Sequence, residues 1–285
     1  MTEPPTLAVV IVNFNAGEYL ARCLDSLERR RGDVRTEVLV IDNASSDGSQ
    51  ATAIGRPGVR LVQNEGNRFL SPAWNQGAAA TEAPFLLFLN PDTEWRGGTL
   101  ADLVRVAREH PRAGIVGPRI LDPDGSVYPS GRRFPSILDA TMHAFLSPFT
   151  RRTPFTRRYE MDGWDRTTER EVDWVSGCCM LVPRPAFDEV GGFDEGFPLY
   201  AEELDIAARL GDVGRSVLFT PEVEVLHEVG VSTPRARWVA VMHSNSVYRY
   251  YRKHRATGWR RVTLPLAWLA LRARAELAWR WGRTR

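Results

Sequence analysis

The stretch Pro84-Phe85-Leu86-Leu87-Phe88-Leu89-Asn90-Pro91-Asp92-Thr93-Glu94 constrains the fold more than any other. The uninterrupted apolar run from Phe85 to Leu89 reads as a strand buried on both faces, the kind found in sheets covered by helices on each side. Asn90-Pro91 ends it abruptly, because proline has no N–H with which to continue a ladder. Asp92 therefore falls just past the carboxyl end of a buried strand, the edge at which open α/β sheets bind ligands. A carboxylate there suits a divalent metal on a diphosphate. Read alone, Asn-Pro-Asp is equally a plain turn.

The chain before it repeats the pattern. Leu7 to Val12 is a β-branched first strand that ends in Asn13-Phe14-Asn15-Ala16-Gly17. The spacing of Tyr19, Leu20, Cys23, Leu24 and Leu27 predicts a helix over 18–30. Glu37 to Ile41 is a second strand running into the acceptor-rich loop Asp42 to Ser49. Val59 to Gln63 is a third, and Ser71 to Ala80 a helix with Pro72 in its first turn. This alternation predicts a parallel sheet with right-handed crossovers. Asn13, Asp42 and Asp92 then all follow strands at one sheet edge. Each is singly a turn former or a cap, but together they argue for one shared ligand. Neither G-x-G-x-x-G nor a P-loop lysine accompanies them, so dinucleotide binding and ATP hydrolysis lose support.

The middle is less regular. Leu100 to Arg108 is an amphipathic helix, and Ala113 to Pro118 a strand. In the loop Tyr128 to Pro135, Arg132 and Arg133 read as solvated surface in preference to phosphate contacts. Residues 147–170, rich in arginine and proline, read as a mobile loop over a cleft. Alternation from Val172 to Val182 predicts one strand, in which Gly177 permits close backbone approach. Glu202, Glu203 and Asp205 open a helix whose dipole accommodates one or two acids. The third invites a chemical role, since clustered carboxylates repel, which raises a pKa and can poise a general base. Val223 to Leu226 is a strand ending at His227.

Bulk properties narrow the class. With 285 residues, 43% hydrophobic and 25% charged, the chain suits one large or two small globular α/β units. Cys23, Cys178 and Cys179 offer no disulfide framework or metal spacing, which fits a reducing cytosol. Met1-Thr-Glu-Pro-Pro does not resemble a signal peptide, and Val262 to Leu271 is too short to span a bilayer. The net charge of +2 hides an asymmetry: residues 235–285 carry thirteen Arg or Lys against the single acid Glu276. Subtraction from 37 basic and 35 acidic residues leaves 24 and 34 in residues 1–234. An acidic body with a basic, Trp- and Tyr-rich tail points to an anionic partner. Arg and Trp on apolar helices favour a membrane interface. Nucleic acid ranks lower because no recognised motif accompanies the tail, and self-association into a homodimer is the plain alternative.

Val9-Val-Ile-Val-Asn-Phe-Asn15, Val40-Ile-Asp-Asn-Ala-Ser-Ser-Asp-Gly48 and Leu89-Asn-Pro-Asp92 resemble the nucleotide-sugar half of family 2 glycosyltransferases with the GT-A fold. Gly191-Gly-Phe-Asp-Glu195, Tyr200-x-Glu-Glu-x-Asp205 and Arg209 resemble their acceptor half. His227-Glu-Val-Gly-Val-Ser232 is similar to the family's third metal-site element, and Ser244 to His254 to a segment of rhamnosyltransferase-like members. The chain departs from the family in a longer stretch from Asn64 to Gly77, and in Glu203 where the family has aspartate.

The resemblance implies a GT-A, Rossmann-like, mostly parallel mixed sheet flanked by helices, with a basic helical tail. The nucleotide-sugar half would be about 1–118, the acceptor half 119–234 and the tail 235–285. It implies nucleotide contacts from Val12, Asn13, Asn15, Asp42 and Asn75, and Mg2+ or Mn2+ at Asp92 and His227. Glu203 would be the catalytic base, with Asp205 as fallback, and Gly177, Trp174, Glu202 and Arg209 would meet the acceptor. The expected reaction is inverting transfer of a sugar, rhamnose from dTDP-rhamnose in the leading case and a UDP-linked donor otherwise, to a polyprenyl-diphosphate-linked or glycan acceptor. The expected place is the inner face of the cell membrane. A non-catalytic sugar-nucleotide- or glycan-binding relative is the alternative, kept open by Glu203.

Overall fold

A computed structural model of the chain describes residues 4–135, 154–228 and 236–280. The strands form one sheet: β1 (Leu7–Asn13), β2 (Thr36–Asp42), β3 (Val59–Gln63), β4 (Phe85–Leu89), β5 (Thr93–Gly97), β6 (Ala113–Leu121), β7 (Arg170–Val172), β8 (Cys179–Pro183) and β9 (Ser216–His227). Its order is β3-β2-β1-β4-β8-β6-β9-β5, with β7 added on β9. The β3-β2-β1-β4 half is parallel, as the alternation predicts. β8 enters antiparallel between β4 and β6, so the sheet is mixed.

Helices cover both faces: α1 (Tyr19–Arg29), α2 (Leu70–Ala79), α3 (Leu100–Glu109), α4 (Pro154–Tyr159), α5 (Arg184–Glu189) and α6 (Glu202–Asp212). Two further helices, α7 (Arg237–Tyr250) and α8 (Leu264–Arg280), form the tail and pack on each other. β4 shows why its sequence lacks alternation: Leu86 and Phe88 enter one core with Trp74, Phe193 and Phe219, while Leu87 and Leu89 enter the other with Leu20, Leu103 and Val116. A Cβ at Gly77 would come within 2.2 Å of Val10 Cγ1, so this glycine lets α2 lie close on β1.

Several expectations are corrected. Residues 172–182 are not one strand: β7 and β8 are separated by a loop that carries Trp174 and Gly177. In the predicted mobile loop, 147–153 lie outside the described residues, but 154–170 are ordered structure. There the buried Arg166 donates from Nε to Ser130 O at 3.0 Å, and Trp164 packs edge-on against Phe219. β5 was not anticipated. It pairs antiparallel with the end of β9, setting Thr93 against His227.

Candidate active site

The parallel strands β1, β2 and β4 end at one sheet edge. β6 and β9 run the same way, while β8 begins there and β5 starts there. Asn13, Asp42, Asp92, Gly177 and His227 therefore gather along one edge. Asn13 and Asp42 are register partners and both fully buried. Asn13 Nδ2 donates to Asp42 Oδ1 at 2.7 Å and to Ser49 Oγ at 2.9 Å, and Ser45 N donates to Asp42 Oδ2 at 3.1 Å. Asn15, at φ 51°, links the same two loops: its N donates to Ser45 Oγ at 3.0 Å and its Oδ1 accepts from Ser46 N at 2.8 Å. Val12 is buried in the strand below them. The two loops thus act as one rigid lip, with Asn13 Oδ1 left buried and without a partner.

Farther along the edge, Asp92 is 6% exposed and its Oδ1 lies 3.3 Å from His227 Nε2. The pairing of β5 with β9, and the bond from Glu228 N to Asp92 O at 2.9 Å, bring together residues 135 positions apart. Burial lowers the proton affinity of His227, but Cys178 and the Asp92 carboxylate more than reverse this and hold it well above the ordinary histidine range. Asp92 Oδ1 meets the His227 ring without a well-directed hydrogen bond, so this buried carboxylate keeps lone pairs that a hard cation can use. Among the described residues no three His, Cys, Asp or Glu side chains cluster to enclose a metal. A cation whose remaining ligands are diphosphate and water oxygens would fit the pair once it displaces the His227 proton.

The glutamate pair sits at the start of α6. Tyr200 and Ala201, at φ 68° and 62°, turn the chain through the left-handed region just before it. Gly177 meets Glu203 side by side, since a Cβ there would lie 3.6 Å from Glu203 Cβ and 3.7 Å from Glu202 Oε1. Glu202 is buried, and burial followed by the charge of Glu203 raises its carboxyl well above the usual range. Burial pushes Glu203 up to about 7, opposed by its own backbone, by the positive charge of Arg132 and by a bond from Glu202. Both carboxyls therefore keep protons to higher pH than an isolated glutamate does, and Oε2 of each is buried and unpartnered among the described residues.

Other predicted residues lie elsewhere in the network. Asp205 is fully buried: its Oδ2 accepts from Arg209 Nε at 2.7 Å, and its Oδ1 lies 2.7 Å from both Lys253 Nζ and His254 Nε2. Arg209 donates from Nε to Asp205 and from Nη1 to Val190 O at 2.6 Å. Asn75 does not join the Asn13–Asp42 lip. Its carboxamide makes a two-way bond to the backbone of Phe193, at 2.9 and 3.0 Å, which joins α2 to the Gly-Gly-Phe-Asp-Glu segment. Trp174 is buried, with Nε1 donating to Arg133 O at 3.0 Å. Arg132, read from sequence as solvated, instead stacks on Tyr128, Tyr159 and Trp174 beside the glutamate pair. The signal that would have found it is the aromatic residue four positions before it, Tyr128.

Comparison with known proteins agrees with this geometry. The family model described as glycosyl transferase family 2 matches residues 8–191. A protein of Mycobacterium tuberculosis named N-acetylglucosaminyl-diphospho-decaprenol L-rhamnosyltransferase is 39% identical, over 94% of this chain and 91% of its own. Rhamnosyltransferase WbbL of Escherichia coli is 22% identical over 87% and 93%. Among solved structures, GalNAc-T7 with UDP, GalNAc and Mn2+ aligns with a TM-score of 0.62 at 20% identity, over 88% of this chain and 48% of that one. The mannosyltransferase PcManGT of Pyrobaculum calidifontis with GDP-Man and Mn2+ aligns at 0.60 with 17% identity, over 97% and 76%. The fold is the expected GT-A arrangement, and the chain belongs to glycosyl transferase family 2.

Proposed function

We propose that the protein is an inverting rhamnosyltransferase. It moves L-rhamnose from dTDP-rhamnose to a sugar carried on a polyprenyl diphosphate, in the assembly of a cell-envelope glycan. The observation that carries the reading is the placement along one sheet edge of the buried Asp92–His227 pair and of Gly177, against which Glu202 and Glu203 pack. The acceptor class follows the printed activity of the mycobacterial relative.

Asn13, Asn15 and Asp42 line the lip against which the nucleotide rests. Asp92 and His227 would hold Mg2+ or Mn2+, which supplies positive charge to the diphosphate that leaves. The Glu203 carboxylate takes the proton of the acceptor hydroxyl. The hydroxyl oxygen bonds to the anomeric carbon from the face opposite the diphosphate, the old glycosidic bond breaks with its electrons on the nucleotide, and the configuration inverts. Glu202, protonated, donates to Glu203 and fixes its orientation. Asp205 is the anchor of α6 rather than a second base, because its oxygens are occupied. Residues 1–234 form the catalytic unit, and the tail 235–285 rests on the cytoplasmic surface of the membrane that carries the acceptor. No described helix is long and apolar enough to cross that membrane.

The test is transfer from dTDP-rhamnose, with UDP- and GDP-sugars as comparison donors, to N-acetylglucosaminyl-diphospho-farnesol. Transfer only from dTDP-rhamnose, lost in EDTA and restored by Mn2+ or Mg2+, is expected. Asp92→Ala should lose it as well. Donor binding without any transfer would move the chain to the binding-protein reading.

A further inference from the structure

Arg132 is held in a box of rings. Its guanidinium carbon lies 5.0 Å from the Tyr128 ring centroid, 5.4 Å from Tyr159 and 5.2 Å from Trp174. Nε donates to Pro129 O at 2.6 Å. Its backbone is clamped to Trp174, donating to Trp174 O at 2.9 Å and accepting from Trp174 N at 3.2 Å. The side chain has little freedom to turn away. Arg119 pairs with Glu224 at 2.9 Å and Arg209 with Asp205 at 2.7 Å, while the buried Arg166 gives its donors to the carbonyls of Ser130, Trp164 and Glu160. Among the described residues Arg132 makes no contact ion pair: the carboxylates of Glu160 and Glu203 act on it from a distance. A guanidinium whose carboxylates act only from a distance keeps donors for an anion that arrives in contact. A guanidinium boxed by three rings and held at Nε presents its remaining N–H groups to an anion's oxygens, the donor set of phosphate recognition.

The position says which anion. Ser176 N donates to Ser130 Oγ at 3.2 Å, so the loop before Arg132 and the loop after Trp174 move as one. The first presents Arg132 and the second ends at Gly177, against Glu203. In an inverting displacement the base and the leaving diphosphate lie on opposite sides of the anomeric carbon. A charge on the side of the base faces the acceptor, not the donor. We propose that Arg132, walled by Tyr128, Tyr159 and Trp174, is the subsite for the acceptor's diphosphate, set one sugar ring from Glu203. This rests on the reading of Glu203 as base and of the acceptor as a diphosphate-linked sugar.

The test is equilibrium binding of two probes to the full chain, in EDTA and without donor. One is N-acetylglucosaminyl-diphospho-farnesol, and the other is the neutral farnesyl N-acetylglucosaminide. The wild-type protein should prefer the diphosphate probe by about tenfold or more, the size of a lost charge-assisted bond. Arg132→Gln should lose that preference while its affinity for the neutral probe and its donor KM stay as they were. Arg132→Lys, which keeps the charge without the fork, should retain part of it and serves if the glutamine variant does not fold. An unchanged preference in the folded Arg132→Gln variant overturns the proposal, as does a wild-type protein that binds both probes equally. A wild-type protein that binds neither probe overturns the acceptor reading on which the proposal stands.

Discussion

Glu203 combines partial exposure with a carboxyl raised from an ordinary 4.5 to about 7, which Asp205 two positions on does not share. A base must be ionised to accept a proton, so the raised value sets an acid limb. kcat/KM should fall about tenfold per pH unit below pH about 7 and level off above it, with the limb absent from donor binding. The linkage to stability has the opposite sense. A carboxyl raised in the folded state adds stability that is complete below its unfolded value, and this is lost as pH rises through about 7. Glu203→Gln should therefore lose less thermal stability than the wild type between about pH 5 and 8. Its kcat should drop about 10²- to 10⁴-fold with donor affinity kept. A glutamine variant that still turns over at the wild-type rate would remove Glu203 from the chemistry.

At the scale of elements, α6 is held from behind. Asp205 gathers Arg209 from its own helix and Lys253 and His254 from the turn after α7. Burial raises the Asp205 carboxyl, but hydrogen bonds from His254 and Lys253 and the charge of Arg209 outweigh it and hold it below 3.8. The stability this contributes is present above the ordinary carboxylate value and lost as pH falls below it. Asp205→Ala leaves three basic groups around an empty buried site and should cost about 3–5 kcal/mol in urea denaturation. Lys253→Ala, at a more exposed partner, should cost under about 1 kcal/mol. Equal losses would mean that the hub is not cooperative.

None of this hub could be read from the sequence, because His254 lies 49 residues after Asp205 and only the packing of α7 brings it back. β4 was legible because a strand buried on both faces writes an unbroken apolar run. β5 was not, since only Thr93 and Trp95 in Thr-Glu-Trp-Arg-Gly turn inward. The antiparallel sense of β8 leaves no local mark either, for the same apolar residues serve both directions. The edge residues Asn13, Asp42 and Asp92 were legible because each ends a strand. The roles of Asn75 and Arg132 depend on partners supplied by distant loops.

For the whole molecule, the tail has two sides with different fates. The inner side of α8 buries Ala275, and Arg274 Nη1 donates to His243 Nδ1 at 3.1 Å, so the helix is docked on α7. The outer side, with the turn before it, exposes Trp259 (76%), Val262 (75%), Leu266 (71%), Leu269 (58%) and Trp268 (42%). In a helix Leu266 and Leu269 fall on one stripe, with Val262 a turn earlier. Arg260, Arg261 and Arg272 border that stripe. Water alone does not reward such a face, whereas an anionic bilayer surface accepts its tryptophans and leucines at the headgroup level and its arginines at the phosphates. The protein should therefore co-sediment with vesicles rich in phosphatidylglycerol and far less with phosphatidylcholine. The binding should weaken as salt rises from about 0.1 to 1 M and the screening length shrinks from ~10 to ~3 Å. Replacing Leu266 and Leu269 together by Glu alters only exposed positions, so folding should be unchanged while the protein stays in the supernatant. Its turnover of a water-soluble short-chain acceptor should match the wild type, and its turnover of an acceptor embedded in vesicles should fall about tenfold or more. If the double variant still sediments but a wild-type dimer becomes monomeric, the stripe joins two copies of the chain, and the membrane must be reached by another surface.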